Sequence, residues 1–279
     1  MKSKSPIQGS LLEALIQLNP DSSKTTLRSW VKEGRIRVDG IIIKQADTMV
    51  EKGQVVELAA KQKFLEEGGF KIIFEDRYLV AIEKPQGLLS VASNFDAQNT
   101  AHRYLKNKYG NVKIVHRLDQ GTSGVMVFAR EEEASVRLKK TFRDHKLIRR
   151  YHAIVEGKLE GEGTWVDFLF EDEKYYVHVV DEDTEDAERA ITHYKAIKRT
   201  RGYTLVEFIL QTGKKNQIRV QSANQGHPLL GDKKYGAKSD PLGRLALHAS
   251  YLEIPHPYTR KPLKLVSPLP PNFKRIVGV

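Results

Sequence analysis

One segment gathers side chains able to do chemistry: Val115-His116-Arg117-Leu118-Asp119-Gln120-Gly121-Thr122-Ser123-Gly124-Val125. It is a polar loop with two glycines, set between Val115 and an apolar run. Polar residues this dense between strands belong at the end of a sheet, where a rigid scaffold meets a substrate. An Asp beside Arg and His can be held ionised and aimed. A carboxylate is a competent covalent nucleophile at a sugar anomeric carbon. The same residues also suit a plain hairpin in which Asp119 and Thr122 are turn formers.

Other chemistries lack their residues. There is no Cys, which removes disulfides, thiolate zinc sites, iron–sulfur clusters and Cys nucleophiles. Thr212-Gly213-Lys214-Lys215 lacks the upstream Gly and the following Ser/Thr of a phosphate-cradling loop, and no Gly-x-Gly-x-x-Gly follows a strand. The nine His form no i, i+4 pair with a Glu, so a zincin-type site is not expected, nor is a zinc deaminase. What remains is chemistry by carboxylate, Arg, Tyr or Ser.

The elements that must position these residues fall into two groups. Over Ser10–Leu18 the apolar residues Leu11, Leu12, Leu15, Ile16 and Leu18 follow helical spacing. Asn19-Pro20 breaks that helix, and Ser22 or Ser23 can cap a second one with Leu27, Trp30 and Val31 on one face. Lys24, Arg28 and Lys32 stack at i, i+4 and i+8 along another face, and Gly34 is the expected stop. Arg35–Val38, the Asp39-Gly40 turn and Ile41–Ile43 read as a hairpin, with a further strand over Gly53–Leu58. This predicts one unit over 1–60, a polar linker over 61–69 ending in Glu66-Glu67-Gly68-Gly69, and a second domain over 70–279. In that domain 72–74, 79–82, 124–128, 151–155 and 203–210 read as strands; 100–109, 131–142 and 214–224 read as helices. Strands and helices do not alternate regularly, so the expected class is α+β, not a doubly wound parallel sheet.

The chain has 279 residues with 46 Lys+Arg against 35 Asp+Glu, a net charge of +11. That excess favours a polyanionic partner, most economically nucleic acid. Residues 137–150 hold seven Lys/Arg and one acid, whereas 160–188 hold twelve acids and one Lys, read as a solvated hairpin. The start, Met1-Lys2-Ser3-Lys4-Ser5-Pro6, is not a signal-length apolar run, and the longest apolar stretches are far short of a membrane span. A cytoplasmic monomer with no membrane partner is expected.

Two resemblances sharpen this reading. Lys24-Thr-Thr-Leu-Arg-Ser-Trp-Val-Lys-Glu-Gly34-Arg-Ile-Arg-Val-Asp-Gly40, within residues 9–58, resembles the S-four RNA-binding domain named after a small-subunit ribosomal protein. The resemblance implies contacts with structured RNA from Lys24, Arg28, Lys32, Arg35 and Arg37. His116-Arg-Leu-Asp119-x-x-Thr122-Ser123-Gly124 resembles the nucleophile loop of the RluA-type pseudouridine synthases. Further segments follow in that family's order: Glu83-Lys84-Pro85-Gln86-Gly87-Leu88, Arg150-Tyr151-His152-Ala153-Ile154-Val155-Glu156-Gly157, Leu210–Arg219, Gly231-Asp232-x-x-Tyr235-Gly236 and Arg244–Ala249.

The implied fold is a mixed, mainly antiparallel sheet with flanking helices, preceded by a small α+β RNA-binding domain. The implied activity is isomerisation of uridine to pseudouridine in RNA, with ribosomal RNA of the large subunit ahead of transfer RNA. Breaking a carbon–nitrogen glycosidic bond with a uracil anion leaving needs a carboxylate, but no metal or redox cofactor. The resemblance casts Asp119 as that carboxylate, Tyr151 as the ring that contacts the base, Arg219 as the ion-pair partner of Asp119, and Arg117 as an aid to base flipping. His116, Thr122, Lys214 and Lys215 complete the expected RNA contacts. Where many members read Gly-Arg-x-His-Gln-Ile-Arg-x-His, this chain has Lys214, Asn216 and Gln221, changes expected to touch positioning or RNA contacts. A non-catalytic RNA-binding factor and a hydrolytic glycosylase are the competing classes. The glycosylase would release free uracil.

Overall fold

Ser10 and Glu13 open the first helix by capping one another. The Ser10 Oγ accepts from the Glu13 N–H, and the Glu13 carboxylate accepts from the Ser10 N–H. The computed structural model describes residues 2–32, 35–43, 45–58, 70–92 and 99–278. The chain divides into two compact units, Met1–Gly69 and Phe70–Val279. The expected linker over 61–69 and the expected helix stop at Gly34 lie outside the described residues.

The first unit holds β1 (Lys2–Lys4), β2 (Gly9–Ser10), α1 (Leu11–Leu18), α2 (Lys24–Lys32), β3 (Ile36–Val38), β4 (Ile41–Ile43), β5 (Met49–Val50) and β6 (Val55–Leu58). The Ser23 hydroxyl caps α2 by accepting from Thr26 N–H. Leu27 and Val31 are fully buried against Leu11, Leu15, Ile36 and Val56, while Lys24, Arg28 and Lys32 are all exposed. The cationic stripe therefore faces outward. The Asp39-Gly40 turn takes positive φ at both residues (50° and 84°), the geometry that closes a two-residue hairpin with the twist of its strands.

The second unit begins with β7 (Lys71–Glu75), β8 (Leu79–Lys84), α3 (Ala101–Tyr109), β9 (Lys113–Ile114), β10 (Ser123–Ala129) and α4 (Glu132–Arg143). It continues with β11 (Ile148–Glu156), β12 (Glu162–Glu171), β13 (Val177–Val180), β14 (Glu188–Arg199) and β15 (Tyr203–Leu210). α5 (Gln217–Asn224), β16 (Leu247–Pro255), β17 (Pro262–Val266) and α6 (Pro271–Val277) complete it. Among the described residues, eleven strands form one sheet with the order β13-β12-β14-β15-β11-β16-β10-β8-β7. β17 lies beside β16 and β9 beside β10. Every neighbouring pair is antiparallel except β10 and β16, so the sheet is mixed and mainly antiparallel, as expected.

Helices cover the sheet from both faces. α4 packs through Ala134 and Leu138 on Val127, Leu79 and Leu252. Ile218 of α5 packs on Phe208, Val206 and Ala153. Phe273 and Val277 of α6 pack on Leu205 and Ile154, the alternate residues of the same strands. β15 is thus apolar on both faces over much of its length.

Two expectations change. The acidic stretch is not simply a solvated hairpin, because Leu169 of β12 and Val177 of β13 are buried against Val220 of α5 and Tyr235. The helix expected from Lys214 begins only at Gln217, because Asn216 adopts a left-handed conformation (φ 53°) that ends one turn and starts another.

Candidate active site

The polar loop of residues 115–122 enters β10 over a buried cation. Lys84, at the end of β8 and fully buried, donates from Nζ to the carbonyls of Leu88 (2.6 Å), Pro85 (3.1 Å) and Gln120 (3.3 Å). Three acceptors match the three ammonium protons. Burial pulls the Lys84 pKa down to about 7, with the Asp119 carboxylate opposing that fall and Arg244 adding to it. The Ser90 hydroxyl, also buried, donates to Leu118 O (2.5 Å) and accepts from Leu118 N–H (3.1 Å). Both residues flanking Asp119 are therefore pinned through their backbones.

The far end of the loop is set by a close approach of strands. Gly124 pairs with Ala249 where β10 runs parallel to β16, and a Cβ at Gly124 would overlap the Ala249 carbonyl. Its φ of +114° adds to the requirement for glycine. Ser123 Oγ accepts from Arg244 Nη2 (2.8 Å) and donates to His248 Nδ1 (2.9 Å). The other His248 nitrogen faces the Ser267 carbonyl at 3.2 Å, and burial lowers the His248 pKa to about 4, so this ring is a neutral brace.

Arg219 reaches Asp119 from the other side. Gln217 fastens the start of α5 to β14 by donating to Ile191 O (3.0 Å) and Thr192 Oγ1 (2.8 Å). Gln221, one turn later, donates to Asp167 Oδ2 at 2.7 Å and accepts from Thr192 Oγ1 at 2.6 Å. With that face held, the Arg219 guanidinium forks onto Asp232, Nε and Nη2 each 2.7 Å from a carboxylate oxygen. Its Nη1 donates to Asn216 Oδ1 at 3.0 Å and lies 3.4 Å from Asp119 Oδ2. Burial works against the Arg219 charge, but the fork on Asp232 and the field of Asp119 outweigh it and raise its pKa. Asp232 is buried and both its carboxylate oxygens accept from Arg219, which leaves the third guanidinium arm pointing toward Asn216 and Asp119. Nothing in the spacing of the sequence joins Asp232 to Arg219; only the fold brings them together.

Asp119 and Tyr151 share a cleft of about 1120 Å³ with Arg117, Arg149, Leu247 and Arg219. Tyr151 stands on β11 with its phenol pKa raised by burial, against the opposing field of Arg149 and with a smaller upward push from Asp119. Arg117 is exposed at the cleft.

Two expected RNA contacts, His116 and Thr122, sit in the cleft wall with their polar groups turned to the protein. The His116 ring is stacked on Phe142 at 4.5 Å and its Nε2 accepts from the Val127 N–H (2.9 Å), with its pKa lowered to about 3 by burial and by Arg149. It is a neutral pin that ties the loop to β10. Thr122 is 2% exposed and closes the turn through its N–H to Asp119 O. Gln221, a position where RNA contact was open, is fully buried against the sheet. Lys214 and Lys215 do line the cleft, but both are paired within the protein, to Glu188 at 2.5 Å and to Glu171. Glu171 of β12 and Glu188 of β14 thus hold down the cationic rim. Arg149 and the exposed ring of Tyr175, on the β12–β13 turn with φ 61°, are cleft residues that the motifs did not mark.

A family model for RNA pseudouridylate synthase matches residues 78–224, just over half the chain, and an S4 domain model matches residues 12–56. The chain belongs to the RNA pseudouridylate synthase family. It is an RNA pseudouridine synthase, an isomerase, with an S4 domain at its N-terminal end. It is 33% identical to the ribosomal large subunit pseudouridine synthase D of Pseudomonas aeruginosa over 285 residues, 92% of this chain and 87% of that one. It is 32% identical to the uncharacterized RNA pseudouridine synthase YhcT of Bacillus subtilis, over 96% and 92% of the two chains. Among solved structures, human RNA pseudouridylate synthase domain containing 4 superposes with a TM-score of 0.62 at 26% identity, covering 76% of this chain and 92% of that one. Among the described residues no helix is long and apolar enough to cross a membrane.

Proposed function

We propose that the protein converts uridine to pseudouridine in large-subunit ribosomal RNA, with Asp119 as the carboxylate that acts on the ribose. The observation that carries the reading is the chain Asp232–Arg219–Asp119. A buried anion fixes a guanidinium, and its remaining arm lies 3.4 Å from a partly exposed carboxylate on the cleft wall. That arm holds the rotamer of Asp119 and aims its carboxylate, which a nucleophile at an anomeric carbon needs. The uracil leaves as an anion, turns, and rejoins through carbon five, so only the proton at that carbon is lost. Tyr151, half-buried in the same cleft as Asp119, supplies the surface on which the base turns. Arg117, exposed at the cleft, fills the place left by the extruded uridine. In the N-terminal unit Lys24, Arg28, Lys32, Arg35 and Arg37 supply sequence-independent RNA affinity. The large-subunit target follows the Pseudomonas relative's name.

The test is tritium release from RNA labelled at carbon five of uridine, with ribosomal and transfer RNA supplied separately. Wild type is expected to release tritium from large-subunit ribosomal RNA, and Asp119→Asn to lose at least about 10³-fold in turnover while binding RNA within about twofold of wild type. Turnover retained by Asp119→Asn would remove Asp119 from its role. Release from transfer RNA alone would replace the substrate, and free uracil as product would replace the reaction by glycosidic hydrolysis.

A further inference from the structure

Four arginines line the cleft; Arg117 and Arg143 are exposed, Arg149 and Arg219 are half-buried, and the protein neutralises one of the half-buried two. Arg219 has Asp232 and Asp119. Arg149 has neither: among the described residues no carboxylate pairs with it, and its Nε is buried with no hydrogen-bond partner. Arg149 lies on β11 two residues before Tyr151, so the two side chains leave the same face of the strand into the same cleft. Its guanidinium fits against Gly213, where a Cβ would overlap Nη1, so glycine at 213 makes the room that this group occupies. The neighbouring His116 ring is neutral and offers no compensating charge.

An exposed cation such as Arg117 is offset by water. A partly desolvated, unpaired one is unfavourable and persists where a ligand completes it. Burial also lowers the Arg149 pKa, the expected sign for a cation lacking its anion. The missing partner is anionic. A uridine base is neutral when it enters the cleft, whereas the phosphates on either side of its ribose are permanently charged and match a planar fork of N–H donors. Lys214 and Lys215 on the same cleft already have Glu188 and Glu171.

We infer that Arg149 holds a backbone phosphate next to the uridine in the cleft, a phosphodiester subsite on the strand that carries Tyr151. The assignment rests on the cleft being the uridine site, and it makes Arg149 a substrate-positioning residue, apart from the reacting atoms. By fixing the backbone on one side, it lets rotation of the nucleotide carry the ribose toward Asp119.

The test measures binding of a large-subunit ribosomal RNA transcript across a potassium chloride series, for Arg149→Met and Arg149→Lys in the Asp119→Asn background. Arg149→Met is expected to weaken binding roughly tenfold and to flatten the salt slope by about one phosphate contact. Arg149→Lys is expected to restore the slope but not the full affinity, since a point charge lacks the fork. The thermal midpoint of Arg149→Met should equal or exceed that of its parent, because the change removes an unpaired buried charge; a role confined to packing would lower it and leave the salt slope alone. In a synthetic stem-loop around the reactive uridine, a methylphosphonate on one flanking side should weaken binding to the parent by a similar factor and binding to Arg149→Met hardly at all. An unchanged slope and affinity in Arg149→Met, or equal methylphosphonate penalties in both proteins, overturns the assignment. So does a loss confined to kcat in the otherwise wild-type enzyme, which would place Arg149 on the departing uracil. Binding carries the main result, so its failure is distinct from turnover retained by Asp119→Asn.

Discussion

The two histidines nearest the reactive loop do their work by staying uncharged. His116 accepts from the Val127 N–H and His248 accepts from Ser123, roles that a protonated imidazole cannot fill. Their pKa values stand at about 3 and about 4, below the ordinary 6.5. The unfolded chain therefore binds protons that the native chain refuses between pH 6.5 and about 3, and stability falls as pH drops through that window. The stabilisation is fully present above pH 6.5. One such site steepens the decline by up to about 1.4 kcal/mol per pH unit. Urea midpoints measured from pH 7 to pH 4 should fall less steeply for His116→Gln than for wild type; parallel curves would show that the ring is charged in the native state. The residue scale is also where sequence reading was strongest and most misleading at once. The motif around Asp119 picks out the loop, since a carboxylate among Arg and His is a local signal. It cannot say that His116 turns inward to its own strand, because that depends on the N–H of Val127 and on the Phe142 ring, far along the chain and on another element.

At the scale of elements, the reactive loop is set by strand contact more than by its own turn. Gly124 lies where β10 and β16 meet in the sheet's parallel pairing, with the Ala249 carbonyl in the space a side chain would need. Gly124→Ala is expected to cost about 3 kcal/mol or more, from overlap with backbone together with an unfavourable φ. Thermal unfolding checks this; a midpoint within 2–3 °C of wild type, about 1 kcal/mol at this size, would mean that the strands part easily there. Helices with a clean start were legible: Ser10 before an apolar periodic run gives α1, and Ser23 gives α2. β15 was legible to the residue because Tyr203–Leu210 is apolar on both faces. β12 and β14 were not, since their outward residues include Glu162, Lys195 and Arg199, whose charges hide a strand whose other face is buried. The sequence pattern extends α5 three residues too far, because nothing in Lys214-Lys215-Asn216 announces the left-handed turn at Asn216.

For the whole molecule, net charge of +11 was a fair guide to an RNA substrate, but its placement matters more than its size. The exposed stripe Lys24, Arg28 and Lys32 is free of ion pairs with described residues, whereas the cationic rim at Lys214 and Lys215 is tied to Glu188 and Glu171. Replacing the three stripe residues with Gln should lower the slope of log affinity against log salt by about 2, three contacts at roughly 0.7 each. Titrations of ribosomal RNA between 50 and 300 mM potassium chloride read this out, and an unchanged slope would turn that helix face away from RNA. The sheet order carries a consequence for how the enzyme comes into being. β10 and β11 are consecutive strands, yet β16 (residues 247–255) lies between them and is what joins the two halves of the sheet. As the chain leaves the ribosome, those halves are separate pieces for as long as it takes to add the hundred or so residues that follow β11, and a late insertion of this kind is slow because distant segments must meet. The reactive loop gains its brace at His248 only once β16 has been made. A chain cut short before residue 247 would therefore be two unjoined half-sheets, with no weakened form of the enzyme between that state and the finished one.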